Sequence, residues 1–559
     1  MENKAIAKTF KLYSQLMELF NENPFRTKAM ASASFKIDKL PFPAAGATID
    51  QLSTQPGIGK STAERIMLIL ETGSFPELDN LIAQTPEGVL AMLTIKGLGP
   101  KKIRSIWKDL EIESIGELLY ACNENRLMEA KGFGLKTQEE IRKSIEFSNA
   151  NQGLFLYAKI EKIAATFLGS LVSRFPDQQH AFTGDFRRKC EIIASIDILT
   201  TTPIQEVATF IKDTPAYAIE EQLEATVHLS DELGVRYHIQ STTKVCFALD
   251  LLRTTGNDTH IKELQTIQAN LPNLASEEAI YETLGLSYIE PELREGAGEI
   301  NWAKNGQLPE LITYADLKGT LHNHSTYSDG VHSLEQMATY CKDELGLSYF
   351  GICDHSKTAV YASGLSIERV KEQWMDIEQL NNKLAPFRIF SGIESDILSD
   401  GSLDYPDDIL AKFDFVVASI HSNLRMDEEK ATQRLITAIE NPYTTILGHP
   451  TGRLLLSRPG YPIDYKKVID ACAANKVVIE INANPLRLDL DWRWQRYALE
   501  KGVLLSINPD AHRMEGLTDM QYGVYVARKG GLSPERCLNA FSLEEIEQYF
   551  EQKKQERPA

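Results

Sequence analysis

Apolar and polar positions follow more than one rhythm along this chain. The opening stretch, MENKAIAKTFKLYSQLMELF, places apolar residues every three to four positions with charges between them, the period of an amphipathic helix. That helical rhythm continues to about residue 150. Over 151–254 strand-like runs such as EIIASIDILTT and VRYHIQ interrupt helical segments, and from about Thr255 to Asn301 the helical period returns. Beyond Ala315 short apolar runs recur, each followed by a polar cluster and then a helical stretch. Strands alternating with helices predict a parallel α/β domain, and so long an alternation favours a barrel over an open sheet. With 559 residues the chain is also too long for one core and predicts several domains.

Three turns of one kind recur in the helical part. Gln55-Pro56-Gly57-Ile58-Gly59-Lys60-Ser61-Thr62 precedes AERIMLIL, Lys96-Gly97-Leu98-Gly99-Pro100-Lys101 precedes IRSIWKDL, and Lys131-Gly132-Phe133-Gly134-Leu135-Lys136 precedes EEIRKSIEF. Glycines permit the tight turn, and the following helix N-terminus offers free backbone N–H groups to an anion. This helix-hairpin-helix pattern grips DNA phosphates without reading bases. Its candidate contacts are Gly57, Gly59, Lys60, Gly97, Gly99, Lys101, Gly132 and Gly134. One such turn is only a helix–helix connection; three in similar context point to DNA.

Charge changes the picture. Residues 1–150 hold 19 basic and 19 acidic side chains, so the net charge of -19 lies wholly in the remainder. An acidic remainder repels a polyanion, so DNA contact must rest on local motifs or on metal ions that reverse the local sign. An apolar fraction of 43% excludes a disordered chain, and no apolar run approaches the roughly 20 residues that span a bilayer. The seven Cys form no CxxC pair, and the start reads as an amphipathic helix rather than a signal peptide; a cytoplasmic protein with reduced thiols is expected.

Seven of the eleven His fall after residue 316, and nearly every apolar run there ends on a metal-type ligand. LKGTL leads to His322 and His324 with Asp329 following, SYFGICD to His355, FRIFSGI to Glu394, FDFVVASI to His421, TTILG to His449, and VLLSINP to Asp510 and His512. KVVIEIN ends at Asn482 and Asn484, and His332 reads as a surface residue. In a parallel barrel the C-terminal strand ends form one face, so these side chains should converge. Nine ligands suit two or three divalent ions, with Glu394 as a bridge, and the reaction class is phosphoester hydrolysis. The catalytic candidates are His322, His324, Glu394, Asp510 and His512.

With HNHSTYSDG, CDH, GIESDI, SIHS, GHP, EINANPLRLD and PDAH in order, residues 316–559 resemble a PHP (polymerase and histidinol phosphatase) domain. The whole chain resembles the bacterial and archaeal family X DNA polymerases that carry such a domain. The resemblance implies a helical lyase-like domain (1–82), helix-hairpin-helix fingers (83–150), a nucleotidyltransferase-like palm (151–254), a thumb-like segment and linker (255–315), and a distorted PHP barrel of about seven parallel strands. It implies a metal-dependent 3′–5′ exonuclease or phosphodiesterase in DNA repair, using Mn2+ or Zn2+, with Mg2+ and Fe2+ as alternatives, on gapped, nicked or 3′-ended DNA. It also places His322, His324, Asp329, His355, Glu394, His421, His449, Asp510 and His512 at the ligand positions; the carboxylate at Asp329 favours manganese or magnesium.

The palm departs from that family. Its pattern is Gly-Ser, two Arg, then Asp-x-Asp; here Thr183-Gly184-Asp185 precedes Arg187 and Arg188, and Ser195-Ile196-Asp197 follows. His238 takes the third carboxylate position, unless Asp231 or Asp250, which flank it, fills that role. Asp185 puts a negative charge where phosphate should bind. In the first hairpin's helix Arg65 stands where the family's Schiff-base lysine belongs, and arginine stays protonated. The expectation is a DNA-binding phosphoesterase with a degenerate palm. An active gap-filling polymerase, a small-molecule phosphatase and a non-enzymatic DNA scaffold are the rivals.

Overall fold

The helical period of the first part is realised as an all-α region among the described residues. The computed structural model describes residues 3–40, 42–95, 97–130, 132–150 and 153–557. It divides into two units, 1–146 and 147–559. In the first, helix Asn3–Leu19 buries Ile6, Phe10, Leu16 and Met17 and packs along Pro24–Asp38, which Asn23 caps. Phe75 seats its ring against Phe10 and Tyr13 at 5.9 and 4.9 Å. The three glycine turns each open a helix: α1 (Lys60–Thr72), α2 (Pro100–Lys108) and α3 (Leu135–Ala150).

The second unit begins with a five-stranded sheet. Its strands are β1 (His180–Phe182), β2 (Ile196–Thr200), β3 (Tyr217–Gln222), β4 (Thr226–Asp231) and β5 (Arg236–Ser241), in the order β1-β2-β5-β4-β3. Only β2 and β5 run parallel. Period-2 alternation gives β4 and β5 one buried face each. Val227, Leu229, Tyr237 and Ile239 pack on that face with Phe167 and Leu171 of helix Tyr157–Arg174, and the other face stays polar. The run EIIASIDILTT is not one strand: it breaks after Ile193, and Ser195 lies in the gap with its hydroxyl donating to Asp197 Oδ1 at 3.0 Å. Residues 249–311 add a small helical core around Leu252, Leu264, Ile280 and Tyr281.

The last part is the expected barrel. Seven parallel strands follow one another in chain order: β6 (Gly319–Thr320), β7 (Tyr349–Ile352), β8 (Arg388–Asp396), β9 (Phe415–Ser419), β10 (Ile446–Leu447), β11 (Val478–Asn482) and β12 (Leu505–Asn508). A parallel bridge between Asn323 and Ala511 joins first to last beyond the strand ends. Almost every strand residue is buried because helices cover the outside, which is why these runs read as continuous apolar text. At the opposite end Tyr349, Phe415, Ile446 and Val478 open their strands. There helix α4 (Leu543–Gln555) inserts Ile546 and Phe550, the latter stacked on Phe415 at 5.3 Å. One end of the barrel is thereby stoppered with apolar rings, and the other is left for chemistry. No helix among the described residues is long and apolar enough to cross a membrane.

Candidate functional site

The nine predicted ligand residues meet at the C-terminal rim of the barrel, carried there by strand ends and, for Asp329, by the loop that follows β6. Glu394 sits at the centre. One of its oxygens lies 3.3 Å from His322 Nε2, 3.1 Å from His421 Nε2 and 3.0 Å from His449 Nε2. The other lies 2.8 Å from His355 Nδ1 and 3.7 Å from His324 Nε2. Asp329 reaches His512 Nε2 at 3.1 Å and His355 Nε2 at 3.6 Å, and Asp510 reaches His324 Nε2 at 3.0 Å. Three sets have ligand atoms close enough to share an ion: His324, Asp329, His355 and His512; His322, His324 and Asp510; His355, Glu394 and His421. His324 and His355 each belong to two sets, so the positions adjoin. Asp510 takes a left-handed backbone at φ 52°, a conformation that costs a residue with a side chain and recurs at functional sites.

Around these residues stands a second circle that sequence reasoning missed. Glu480, inside β11, has one oxygen 2.7 Å from His322 Nδ1 and accepts the His449 backbone N–H with the other at 2.8 Å. Asp396 lies 2.5 Å from His421 Nδ1. Fixing Nδ1 this way leaves Nε2 facing inward, as metal-binding imidazoles require. Asp354 accepts from the Ser325 N–H and hydroxyl, the Ser328 N–H and hydroxyl, and Gln373, which pins the loop carrying Asp329. Asn482 donates to Asp510 and Glu480, whereas Asn484 accepts the Leu486 N–H and serves a turn. The signals were present as an acid inside an apolar run (Glu480) and an acid two residues beyond Glu394 on one strand. His332 is half-buried rather than on the surface. Its ring accepts the Met514 N–H at 3.2 Å, and it takes no part in the cluster.

The electrostatics are those of a charged group of ligands held out of water. Burial alone would neutralise Glu394, but His421, His322 and His355 hold its pKa well below the ordinary value. Burial opposes charge on His322, yet Glu480, Asp510 and Glu394 raise its pKa well above normal. His324, buried beside His512 and His355, is pushed down to about 3. Buried atoms His322 Nε2, His324 Nδ1, His355 Nδ1 and Nε2 and Glu394 Oε2 make no hydrogen bond, although a carboxylate or imidazole stands close by. Such atoms lack a partner of the kind a divalent cation provides. The donor set, imidazole and carboxylate without sulfur, suits Zn2+, Mn2+ or Fe2+.

The palm presents the opposite picture. Of its expected carboxylates only Asp197 lies at this position of the sheet, with Ser195 and His238 as neighbours; His238 Nδ1 is 3.1 Å away. Asp231 instead accepts the Leu233 and Val235 N–H groups and the Tyr237 hydroxyl at a hairpin turn, and Asp250 accepts from Thr242. Neither fills the third position. Arg187 forks onto Glu277 at 3.0 and 2.5 Å and donates to Thr255. Arg188 pairs with Glu295 and with Asp185, so both arginines are engaged in holding residues 255–295 to the palm. Gly184 has φ 57°, and a Cβ there would lie 2.4 Å from Asp197 Oδ2.

The hairpins have the backbone that anion capture needs. Gly57, Gly97 and Gly132 have φ of 87°, 92° and 93°, and Gly59 and Gly99 cap α1 and α2 in extended conformation. Lys60 and Lys101 are exposed at those helix starts, and space around Gly59, Gly97, Gly99, Gly132 and Gly134 is open. Lys96 and Lys131 lie outside the described residues. Arg65 is spent on an ion pair with Glu77 at 2.6 Å.

Residues 1–75 match the model of a helix-hairpin-helix domain, and residues 89–146 that of a SAM-like helix-hairpin-helix tandem. The chain is 33% identical over 98% of its length to DNA polymerase/3′–5′ exonuclease PolX of Bacillus subtilis (strain 168), 99% of which is covered. A probable phosphatase of Thermoanaerobacter sp. (strain X514) is 31% identical over 189 residues, 32% of this chain and 74% of that protein. A probable phosphatase of Acetivibrio thermocellus is 25% identical over 242 residues, 42% of this chain and 95% of that protein.

Proposed function

The chain belongs to the PolX family of DNA polymerases/3′–5′ exonucleases, and we propose that its barrel, not its palm, is the working centre. In this reading it is a DNA-binding, metal-dependent phosphodiesterase and 3′–5′ exonuclease of DNA repair in the cytoplasm, with a silent polymerase site. The observation that carries the reading is the gathering of six imidazoles and two aspartates around Glu394, against a lone Asp197 in the palm.

His322, His324, Asp329, His355, Glu394, His421, His449, Asp510 and His512 would hold two or three divalent ions, Mn2+ or Zn2+ foremost. Such ions supply an activated water and neutralise the charge of a phosphodiester. Glu394 offers an oxygen to each side of the cluster and is the natural bridge. Glu480 and Asp396 keep His322 and His421 in the tautomer that turns Nε2 inward. At the other end of the chain the turns at Gly57–Gly59, Gly97–Gly99 and Gly132–Gly134 would hold the DNA backbone with N–H groups and with Lys60 and Lys101. The segments 1–82, 83–150, 151–254, 255–315 and 316–559 are the domains we assign to these tasks.

The test is end-labelled gapped DNA incubated with the purified chain and Mn2+, with and without dNTPs. Shortening without extension is expected. A parallel comparison of a chromogenic phosphodiester with a phosphomonoester separates this reading from a small-molecule phosphatase, and no hydrolysis of either leaves a binding scaffold.

A further inference from the structure

The polar face of the palm sheet carries a row of side chains that the lost polymerase chemistry does not explain. Register sets Asp197 opposite His238, His238 opposite His228, and His228 opposite Glu221, so four adjacent strands contribute one residue each to a straight line. The edge strand shifts register between Ile219 and Glu221, and that irregularity sets Glu221 opposite His228. Directly paired residues share a face with Cβ atoms about 5 Å apart. The two imidazole rings accordingly stand 4.4 Å apart, centroid to centroid, at 42°.

The arrangement within the row is specific. His238 Nδ1 lies 3.1 Å from Asp197, and His228 Nδ1 lies 3.2 Å from Glu221. Each ring therefore has a carboxylate within ion-pair distance of Nδ1, and its Nε2 is left on the far side. Among the described residues no protein group hydrogen-bonds to either Nε2. The barrel places carboxylates at the same nitrogen more closely, Glu480 and Asp396 being hydrogen-bonded to Nδ1 of His322 and His421. Two nitrogens about 2.1 Å from one ion lie roughly 3–4 Å apart, a separation these rings can reach.

We infer that His228 and His238 form a further metal site on the palm, taking a borderline transition ion such as Zn2+ through their Nε2 atoms. Asp197 and Glu221 act as positioning residues that orient the rings, and water completes the coordination. Two imidazoles favour Zn2+ over Mg2+, because hard ions prefer oxygen. Replacing carboxylates by Ser195 and His238 would thus have changed which ion the palm accepts rather than leaving it inert. Nothing in this depends on what the barrel binds or hydrolyses.

Metal content after Zn2+ loading, measured for the full-length chain and its His228→Ala variant, reads the palm as a difference, since the barrel is common to both. One ion fewer per chain in the variant is expected, with an unchanged unfolding profile. Equal content in the two would overturn the site. Glu221→Gln, an exposed and conservative change, provides a second reading. It should weaken Zn2+ binding at that one ion by about 10–100-fold while leaving the number of sites the same. Unaltered affinity would show that the carboxylate does not orient a ligand and would also count against the proposal. Loading with Mg2+ in place of Zn2+ should show no difference between wild type and His228→Ala; a difference would mean the site is a hard-ion site and the assignment wrong.

Discussion

The palm and the barrel of this chain are both built of strands that deliver polar side chains to one place, yet only one of them still gathers carboxylates there. In the barrel Glu394, Asp329 and Asp510 stand among six imidazoles, and a second circle of Glu480, Asp396 and Asp354 fixes their directions. In the palm Asp197 is alone, and Arg187 and Arg188 have been taken up by Glu277 and Glu295. The palm nevertheless keeps its core, because Tyr237, Val227 and Phe167 pack on the face away from Asp197. A fold can keep its core under an altered site when the two occupy opposite faces of one sheet. Around the barrel rim they cannot separate so easily, since ligands and structural partners share strands.

The sharpest test of this contrast is to remove a central carboxylate from each. Glu394→Gln should lower Mn2+-dependent diester hydrolysis by about 10³-fold, as loss of several kcal/mol of metal-based stabilisation implies, while Asp197→Asn should leave it unchanged. Template-directed primer extension that disappears in Asp197→Ala would break the comparison outright. Next in size is the structural price of the palm's arginines. Glu277 is buried, and although burial opposes its charge, Arg187 and Arg294 keep its pKa below the ordinary value. Glu277→Gln should therefore cost about 3–5 kcal/mol of stability at neutral pH, measured by denaturant unfolding. Because the folded pKa is depressed, the wild type keeps that stabilisation above the ordinary carboxylate range. It loses it as pH falls through the lower folded value, so the two proteins should converge in acid.

Smaller effects probe the surroundings. Glu480→Gln should weaken metal binding and hydrolysis by about 10–100-fold without removing a ligand, whereas the same loss in His332→Ala would undo the assignment. Smallest is the DNA grip. Gly97→Val forces a β-branched residue into φ 92° at one turn of three, and loss of one charged backbone contact should raise the DNA concentration for half-saturation by about tenfold. Turnover of a small chromogenic diester should not change.

Much of this was legible in the sequence because the signals were local. A histidine or acid just past an apolar run says where it will lie once the run is a barrel strand, so His322, His355, Glu394, His421, His449 and His512 could be brought together on paper. The glycine turns likewise carry their backbone angles with them. Glu480 and Asp396 were missed because their role is to touch a ring on another strand, and an acid within an apolar run signals burial without saying which ring it will meet. The row through His228 depends on three strand registers and one irregularity, which no periodicity encodes. The strands of TTILG and LKGTL reduce to two residues each, since the chain turns toward the rim as soon as the ladder has been made.

Helix α4, whose Phe550 stacks on Phe415 at the barrel's closed end, lies later in the sequence than every strand it stoppers. The strands of the barrel are thus synthesised in order around a space whose closed end is filled only after all seven of them. Helical turns with the backbone for anion capture precede that helix by hundreds of residues. Under the proposed function, a chain that ends between the last glycine turn and this helix should bind DNA without shortening it, and a gel shift beside an end-labelled digest reads both.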